Sequence, residues 1–554
     1  MSEPTGAGGT DLLLRGGRLV DGTGAPARAA DVAVADGRIA AVAPPGELAA
    51  PAAEVVDLDG LVLAPGFIDI HTHYDAQILW DGDLTPSSWH GVTSVVMGNC
   101  GFGVAPTRPE HRDTIVRTLE NVEGMSIEAL NAGIDWSFET FPEYLAMLED
   151  RRKRLNVGAF IGHSPLRLFV LGGDERPATA DELDTMRELV RDAMNAGAIG
   201  LSTSRSAAHQ GAFGRPVPSR FAEVDEFFAL ASVLGELGRG VVQATAGPGL
   251  FIEQFSQIAA RFGIPVTWTA LLARAERPGA ALRTIERASA LPGEVYPQVA
   301  CREIVMQVSL TEPAPLAEVD EWKEVLALPP AERAAIYREP PWRDRARKPT
   351  LARWEHRWPR MSVQETRAHT DLVGIPLDRL ASARDTTPFD LMIDLALGDA
   401  MGTRFRVVMD NDGDEELGQV LADKRTLLGL SDAGAHATQL CDACFSTYLL
   451  GHWVRERQTL SVEDAVWRLA GHPHRAFRLA GRGLVREGFH ADLVAFDPDT
   501  VGATPVERVH DQPGGSDRLI ARSTGVEYTW VNGVATRVGG QDVPDVAPGL
   551  LLRS

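Results

Sequence analysis

Two histidines, His71 and His73, close the short apolar run Phe67-Ile68-Asp69-Ile70, which the chain enters through Pro65-Gly66. A run this short, bounded by Pro-Gly, reads as a buried parallel strand. Residues i and i+2 of a strand project to the same side, so both imidazoles face one space at the strand's carboxyl end. Neutral imidazole is a good ligand for borderline divalent ions such as zinc, and a pair on one strand needs little chain to be ordered. Two more strand-like runs end in ligand-type side chains: Val92–Met97 leads into Gly98-Asn99-Cys100-Gly101, and Leu427–Ser431 delivers Asp432. Ligands gathered at strand ends are what the active site of a (β/α)8 barrel requires.

The elements that must position them can be counted. Candidate strands are Phe67–Ile70, Ser94–Met97, Val157–Ile161, Ile199–Ser202, Val241–Ala244, Pro265–Thr269, Tyr296–Ala300 and Leu427–Ser431, and eight is the barrel number. Helical stretches separate most of them; one begins after Thr179, a plausible cap, and carries Leu183, Met186, Leu189, Val190, Ala193 and Met194 near a 3.6 period. Short strands separated by Gly, Pro and Asp turns precede the barrel and return after it, as at Ala491–Phe496 and Val526–Gly533. The expected fold is therefore α/β: a (β/α)8 TIM-like barrel over 65–483, with a small β-sandwich built from both chain ends, 1–64 and 484–554. An insertion over about 302–385 breaks the rhythm. It holds Pro329-Pro330, Trp322, Trp354 and Trp358, and its place before the last strand puts it at the mouth, where such loops become lids. Its Arg and Trp content would suit clamping an apolar substrate that carries a carboxylate; a surface decoration or an oligomer contact fits equally.

At 554 residues the chain exceeds one ordinary domain, and 44% hydrophobic content supplies a full core. A formal charge of −22 excludes nucleic acid and anionic membrane surfaces as expected partners. No run of eighteen apolar residues exists, and Met1–Gly6 lacks the basic and apolar regions of a signal peptide, so a cytoplasmic protein is expected. Cys100, Cys301, Cys441 and Cys444 are too few and scattered for a disulfide framework. Cys441-Asp-Ala-Cys444 has redox or half-zinc-site spacing, yet no second pair accompanies it, and reduced thiols packed on a helix are expected.

The chain resembles the amidohydrolase superfamily, and within it the N-acyl-D-amino-acid deacylases, through Pro65–His73, Asn99-Cys-Gly, Ala105-Pro106, Ser431-Asp432 and the tail Gly488–Pro498. The resemblance covers nearly the whole length. It implies a hydrolase of carbon–nitrogen bonds other than peptide bonds, with a metal and a small-molecule amide substrate. It implies His71, His73, Cys100 and Asp432 as metal ligands, and Asp432 as the carboxylate that takes a proton from water and hands it to the leaving nitrogen. It also implies a metal-ligand histidine at the end of the fifth strand and another at the end of the sixth. Here those places read Val241–Pro248 and Pro265–Ala270, without histidine, so one zinc with an open water position is expected rather than a binuclear centre.

Other residues could serve the same chemistry. His163 and His436 lie near strand ends and could donate to an oxyanion, shuttle a proton or bind metal; His209 has the same options from a loop, and Glu123 is a possible further ligand. His472 and His474 read as structural. Arg205 and Arg302 follow strands and could pair with a substrate carboxylate. The leading expectation is deacylation of an N-acyl-D-amino acid or related N-acyl compound. The alternatives are hydrolysis of a cyclic amide or imide, and an inactive barrel that serves binding or assembly. A homo-oligomer is compatible with either.

Overall fold

The computed structural model describes residues 10–48, 52–311 and 313–554; the Met1–Gly6 stretch lies outside the described residues. Eight parallel strands stand side by side in chain order: Phe67–Asp69, Val92–Met97, Asn156–Gly162, Gly200–Ser204, Val241–Thr245, Val266–Thr269, Val295–Val299 and Leu427–Leu428. We number them one to eight. The ends meet through a parallel bridge between Thr72 and Ala433, with the His73 amide donating to the Ala433 carbonyl at 2.7 Å. Strands two to four are buried on both faces, as expected for strands wrapped by helices.

The eighth strand pairs over only two residues, where the sequence suggests five. Leu430 and Asp432 adopt left-handed backbone angles, φ 58° and 46°, which end the ladder and turn Asp432 inward. The capped helix forms as read: Ala180–Ala196 starts at Thr179, whose hydroxyl accepts from the Glu182 amide at 3.3 Å while Glu182 accepts from the Thr179 amide at 2.8 Å.

Both chain ends share one nine-stranded sheet. Val62–Pro65, just ahead of the first barrel strand, pairs antiparallel with Leu493–Phe496. The sheet packs a core that holds Leu14, Val32, Ile39, Leu493 and Trp530, and it joins the strands of both chain ends, expected as a small sandwich, in one hydrogen-bonded path. Its effect on the site is mechanical: it anchors the chain just ahead of the strand that leads to His71 and His73.

The segment after Cys301 is a module of its own. Strands Ile304–Ser309, Met361–Glu365 and Arg404–Asp410 form an antiparallel sheet, and helices that include Pro340–Arg353 and Pro388–Gly398 cover it. The module therefore runs beyond residue 385, because Arg404–Asp410 is its central strand. Trp322, Trp342, Trp354 and Trp358 are buried in its core, with Trp322 and Trp342 edge to face at 5.2 Å. The tryptophans do not reach the mouth, and the expectation of a Trp clamp is corrected: they are consumed in packing the inserted module. Among the described residues no helix is long and apolar enough to cross a membrane.

Candidate metal and hydrolytic site

The carboxyl ends of strands one, two and eight converge. A ring nitrogen of His71, one of His73 and Sγ of Cys100 all lie within 4.8 Å of one another. Cys100 Sγ is 3.4 Å from His71 Nε2. Asp432 Oδ1 lies 3.2 Å from the same Nε2 and 3.8 Å from His73 Nε2. Glu123, on the helix Arg112–Glu123, brings Oε1 to 3.4 Å from His73 Nδ1. Of these groups His71, Cys100 and Asp432 line a cleft of about 570 Å³ at the barrel mouth, and the Asp432 side chain, 29% exposed, is the most open of them.

Each donor is held by its surroundings. His71 Nδ1 meets Oε1 of Gln298, on the seventh strand, at 2.6 Å, and both side chains are fully buried. An amide oxygen accepts, so Nδ1 carries the proton and Nε2 offers its lone pair to the cleft. Burial moves His71 down to about 4, so the ring is neutral near pH 7. Burial, then the neighbouring His71, does the same to His73. The Cys100 amide donates to Gln243 Oε1, from the fifth strand, at 2.7 Å, which fixes its left-handed turn of φ 57°. Asp69, below the site, accepts from the Ser431 hydroxyl at 2.6 Å and so ties the first strand to the residue before Asp432.

The charge balance fits a divalent cation. Burial raises the Cys100 thiol well above its usual range, and the nearby Glu123 and Asp432 add to the rise. Glu123 rises for the same first reason, then through Asp432 and Asp75. Three acid groups packed around two neutral imidazoles repel one another until a cation joins them, and a thiol, two imidazoles and a carboxylate are donors of the kind zinc takes.

The ends of strands five and six supply Thr245 and Thr269 instead of histidine. The Thr269 hydroxyl donates to the Thr245 hydroxyl at 3.2 Å, both threonines line the cleft with Cys100, and both act to lower its thiol. A hydroxyl pair satisfies the thiol side of the cleft but is a poor substitute for two imidazoles around a second ion. Opposite, His209 lines the cleft with Nδ1 at 2.7 Å from Ser204 Oγ, and burial holds it near 4. His436, four residues after Asp432, donates its backbone amide to the Glu123 carbonyl, and its charge would act on His73, His209 and Asp432 alike.

Three expected site residues lie elsewhere. His163 opens the helix His163–Leu171 directly after the third strand, where the chain packs so closely that a Cβ on Gly162 would sit 2.6 Å from the Phe102 carbonyl. The ring faces the helix layer, with Nδ1 at 2.9 Å from Thr203 Oγ1 and Nε2 at 2.8 Å from Glu226 Oε1, stacked on Phe227. With both nitrogens engaged, His163 is a packing residue of an ion-paired cluster with Glu226 and Arg167, and the catalytic expectation is corrected. Arg205 spends its guanidinium on the carbonyls of Arg220, Ala222 and Pro248, which tie two loops together. Arg302 is part-buried and engaged by Cys441, Asp442 and Cys444. Neither faces the cleft, and their substrate role is corrected on the same ground. The arginines that line it are Arg274, paired with Asp410, and the exposed Arg277, whose nearest carboxylate is Glu276 at 3.7 Å.

Sequence reasoning also missed Gln243, Gln298, Thr245 and Thr269. Gln243 and Gln298 do carry a signal, an amide inside an otherwise apolar strand, but nothing local says which ligand each would hold.

The comparisons with known proteins agree with this geometry. The chain matches the Amidohydrolase family over residues 54–536. D-aminoacylase of Alcaligenes xylosoxydans xylosoxydans is 30% identical over 537 residues, covering 94% of this chain and 93% of that protein. N-acyl-D-glutamate deacylase of the same organism is 28% identical over 567 residues, covering 98% and 96%. A crystal structure of D-aminoacylase superposes with a TM-score of 0.68 at 26% identity, covering 98% of this chain and 100% of that one. N-acyl-D-glutamate deacylase from Bordetella bronchiseptica, complexed with zinc and a phosphonate inhibitor, gives 0.67 at 27% identity, covering 99% and 100%. With a barrel, a donor set suited to a metal and a family match across most of its length, the chain belongs to the amidohydrolase family and is a hydrolase of carbon–nitrogen bonds other than peptide bonds.

Proposed function

We propose that this chain is a metal-dependent deacylase of N-acyl-D-amino acids or closely related N-acyl compounds, working with one zinc ion. The observation that carries the reading is the approach of Cys100 Sγ and Asp432 Oδ1 to within 3.4 and 3.2 Å of the same His71 nitrogen, with threonines at the ends of strands five and six. Relatives along the whole chain support the substrate class: D-aminoacylase, N-acyl-D-aspartate deacylase and N-acyl-D-glutamate deacylase. A single ion is supported by the donor count here, and a solved D-aminoacylase structure concerns a binuclear centre with one-metal activation and second-metal attenuation.

His71, His73, Cys100 and Asp432 would hold the ion, with Glu123 behind His73. When bound, a divalent ion lowers the pKa of water towards neutrality and polarises the amide carbonyl. Asp432 is the residue placed to move protons: its carboxylate faces the cleft, accepts a proton from the attacking water and returns it to the amide nitrogen as the carbon–nitrogen bond breaks. His209 lines the cleft and is the donor available to the developing oxyanion, with His436 behind Asp432 acting on it through charge. Phe251, Trp268, Leu271 and Leu272 offer the acyl chain an apolar wall, and Arg277 supplies a positive charge for the substrate carboxylate.

The test is a matched set of N-acyl-D-amino acids, their L forms, and cyclic imides and hydantoins. The reading expects the highest kcat/KM on a D substrate; a cyclic substrate ahead of all acyclic ones would make this a cyclic amidase. No turnover of any of them by metal-loaded protein would leave a barrel that binds without catalysis.

A further inference from the structure

Arg302, a part-buried cation outside the cleft, has unusual partners. Its Nη1 donates to the Cys441 carbonyl at 2.6 Å, lies 2.7 Å from Cys444 Sγ and sits 3.1 Å from Asp442 Oδ1, while the guanidinium stacks over Tyr448 at 5.0 Å. Cys444 Sγ is 3.3 Å from the Cys441 carbonyl, and the same Arg302 nitrogen that holds that carbonyl reaches the Cys444 sulfur, so the two cysteines are drawn to one point. A guanidinium only donates, so at sulfur it favours a thiolate over a thiol. The pair is thereby asymmetric. Contact with Cys441, helped by Arg302, draws the Cys444 thiol down; the same contact and burial push Cys441 up.

A cavity reaches the pair at Cys441 and at the Arg302 guanidinium that contacts Cys444, Cys444 itself stays buried, and one loop links the pair to the active site. Cys441, Arg302, Arg406, Gln307 and Gln439 line a cavity of about 210 Å³, several times the roughly 30 Å³ share of one water. On its other side, Cys441 joins Asp442 and Asp432 in the wall of a second, smaller pocket. The backbone between them, Ser431–Leu440, also carries His436. A change at the dithiol is therefore one loop away from the catalytic carboxylate.

We propose that Cys441 and Cys444 form a redox switch: a small hydroperoxide oxidises the pair to a disulfide, with Arg302 holding Cys444 as the attacking sulfur, and the oxidised loop lowers turnover at Asp432. In the first step the Cys444 thiolate attacks a peroxide oxygen. An S–O bond forms, the O–O bond breaks, and the leaving hydroxide or alkoxide takes up a proton, leaving a sulfenic acid. Cys441 sulfur then attacks the sulfenic sulfur. The S–S bond forms, and the sulfenic oxygen leaves as water with the Cys441 proton. In sum two thiols give up two electrons and two protons, and one hydroperoxide becomes one alcohol, or water, plus one water. A thiol reductant reverses the change by exchange. The disulfide carries no charge, so oxidation strips Arg302 of its sulfur partner and leaves it to Asp442.

The experiment uses the full chain in its metal-loaded form, treated with hydrogen peroxide and mapped by peptide mass spectrometry. The expected result is a Cys441–Cys444 peptide lighter by two hydrogens while Cys301 stays reduced, with at least a twofold loss of kcat that dithiothreitol restores. In Cys441→Ser a 1,3-diketone reagent should label Cys444, because the sulfenic acid has no resolving thiol. In Cys444→Ser the dithiothreitol-reversible loss should vanish; any loss that persists reports the ligand Cys100. The switch is overturned if the linked peptide does not form, if the diketone labels Cys100 and spares Cys444, or if complete linkage leaves kcat unchanged. Arg302→Met, checked for native circular dichroism, should slow linkage about tenfold, and equal rates would remove Arg302 from the account.

Discussion

Gln298→Leu is the sharpest perturbation of the site, because it replaces no ligand and changes no charge. Gln298 Oε1 accepts the Nδ1 proton of His71 at 2.6 Å with both side chains at 0% exposure. Leucine is similar in bulk but leaves a buried ring N–H without an acceptor, a cost of about 1–3 kcal/mol. Part of that cost is avoided if the ring turns or shifts its proton to Nε2, and either escape removes the lone pair from the ion's side. Loss of such a partner typically weakens metal binding about 10- to 100-fold, which at about 1.4 kcal/mol per decade is the same 1–3 kcal/mol reached from the hydrogen bond. The assay is zinc affinity by competition with a chromophoric chelator on apo protein, so activity is not needed as a readout. Gln298→Glu keeps an acceptor in place and should bind zinc at least as tightly as the parent. Unchanged zinc affinity in Gln298→Leu would refute the claim that this contact sets the His71 tautomer.

Three further outcomes follow from the same geometry. Asp432→Asn should keep its fold and lower kcat about 10²- to 10⁴-fold, the usual worth of a positioned acid–base group, as measured on the best N-acyl substrate at saturating zinc. Arg277→Gln should raise KM for an anionic substrate, leave kcat nearly unchanged and leave a neutral N-acyl amide unaffected. The His163 cluster should act on stability alone. Burial opposes the charge of Glu226, but the hydrogen bonds and charges of His163 and Arg167 win and bring it down to about 2 from 4.5. His163 is itself held low by burial, so Arg167 supplies the charge near neutrality. A depressed carboxylate contributes stability that is fully present above pH 4.5 and is lost as pH falls through the interval down to about 2; the shift is worth roughly 3 kcal/mol. Glu226→Gln should flatten the acid limb of the stability curve over that interval while kcat at pH 7 stays within about twofold; a kcat collapse would return His163 to the catalytic site.

The residues that were legible in the sequence are those whose position is fixed by a strand end. His71, His73 and Asp432 each follow a short apolar run, and the alternation of strand side chains puts them on one side without any tertiary knowledge. The barrel was legible for the same reason, since eight such runs recur with helices between. What escaped depends on where a side chain goes after its strand stops. His163 follows the third strand as His71 follows the first, but a helix begins there at once, and the ring turns outward. Arg302 also follows a strand, yet a buried dithiol loop more than a hundred residues away claims it. The tryptophans of the insertion looked like a lid because their partners, Phe389 and Phe405 among them, are scattered along a segment with no simple period. Thr245 and Thr269 are ordinary strand residues until the fold brings a thiol into the same cleft.

The central claim is that one divalent ion joins the imidazoles of the first strand to the carboxylate after the eighth. Metal analysis of protein purified without chelator tests it most directly. The account predicts about one zinc per chain, lost when His71, His73 and Asp432 are replaced together. Two tightly held ions per chain would contradict the reading of Thr245 and Thr269, and a chain that holds none yet hydrolyses its substrate at full rate would contradict the site altogether.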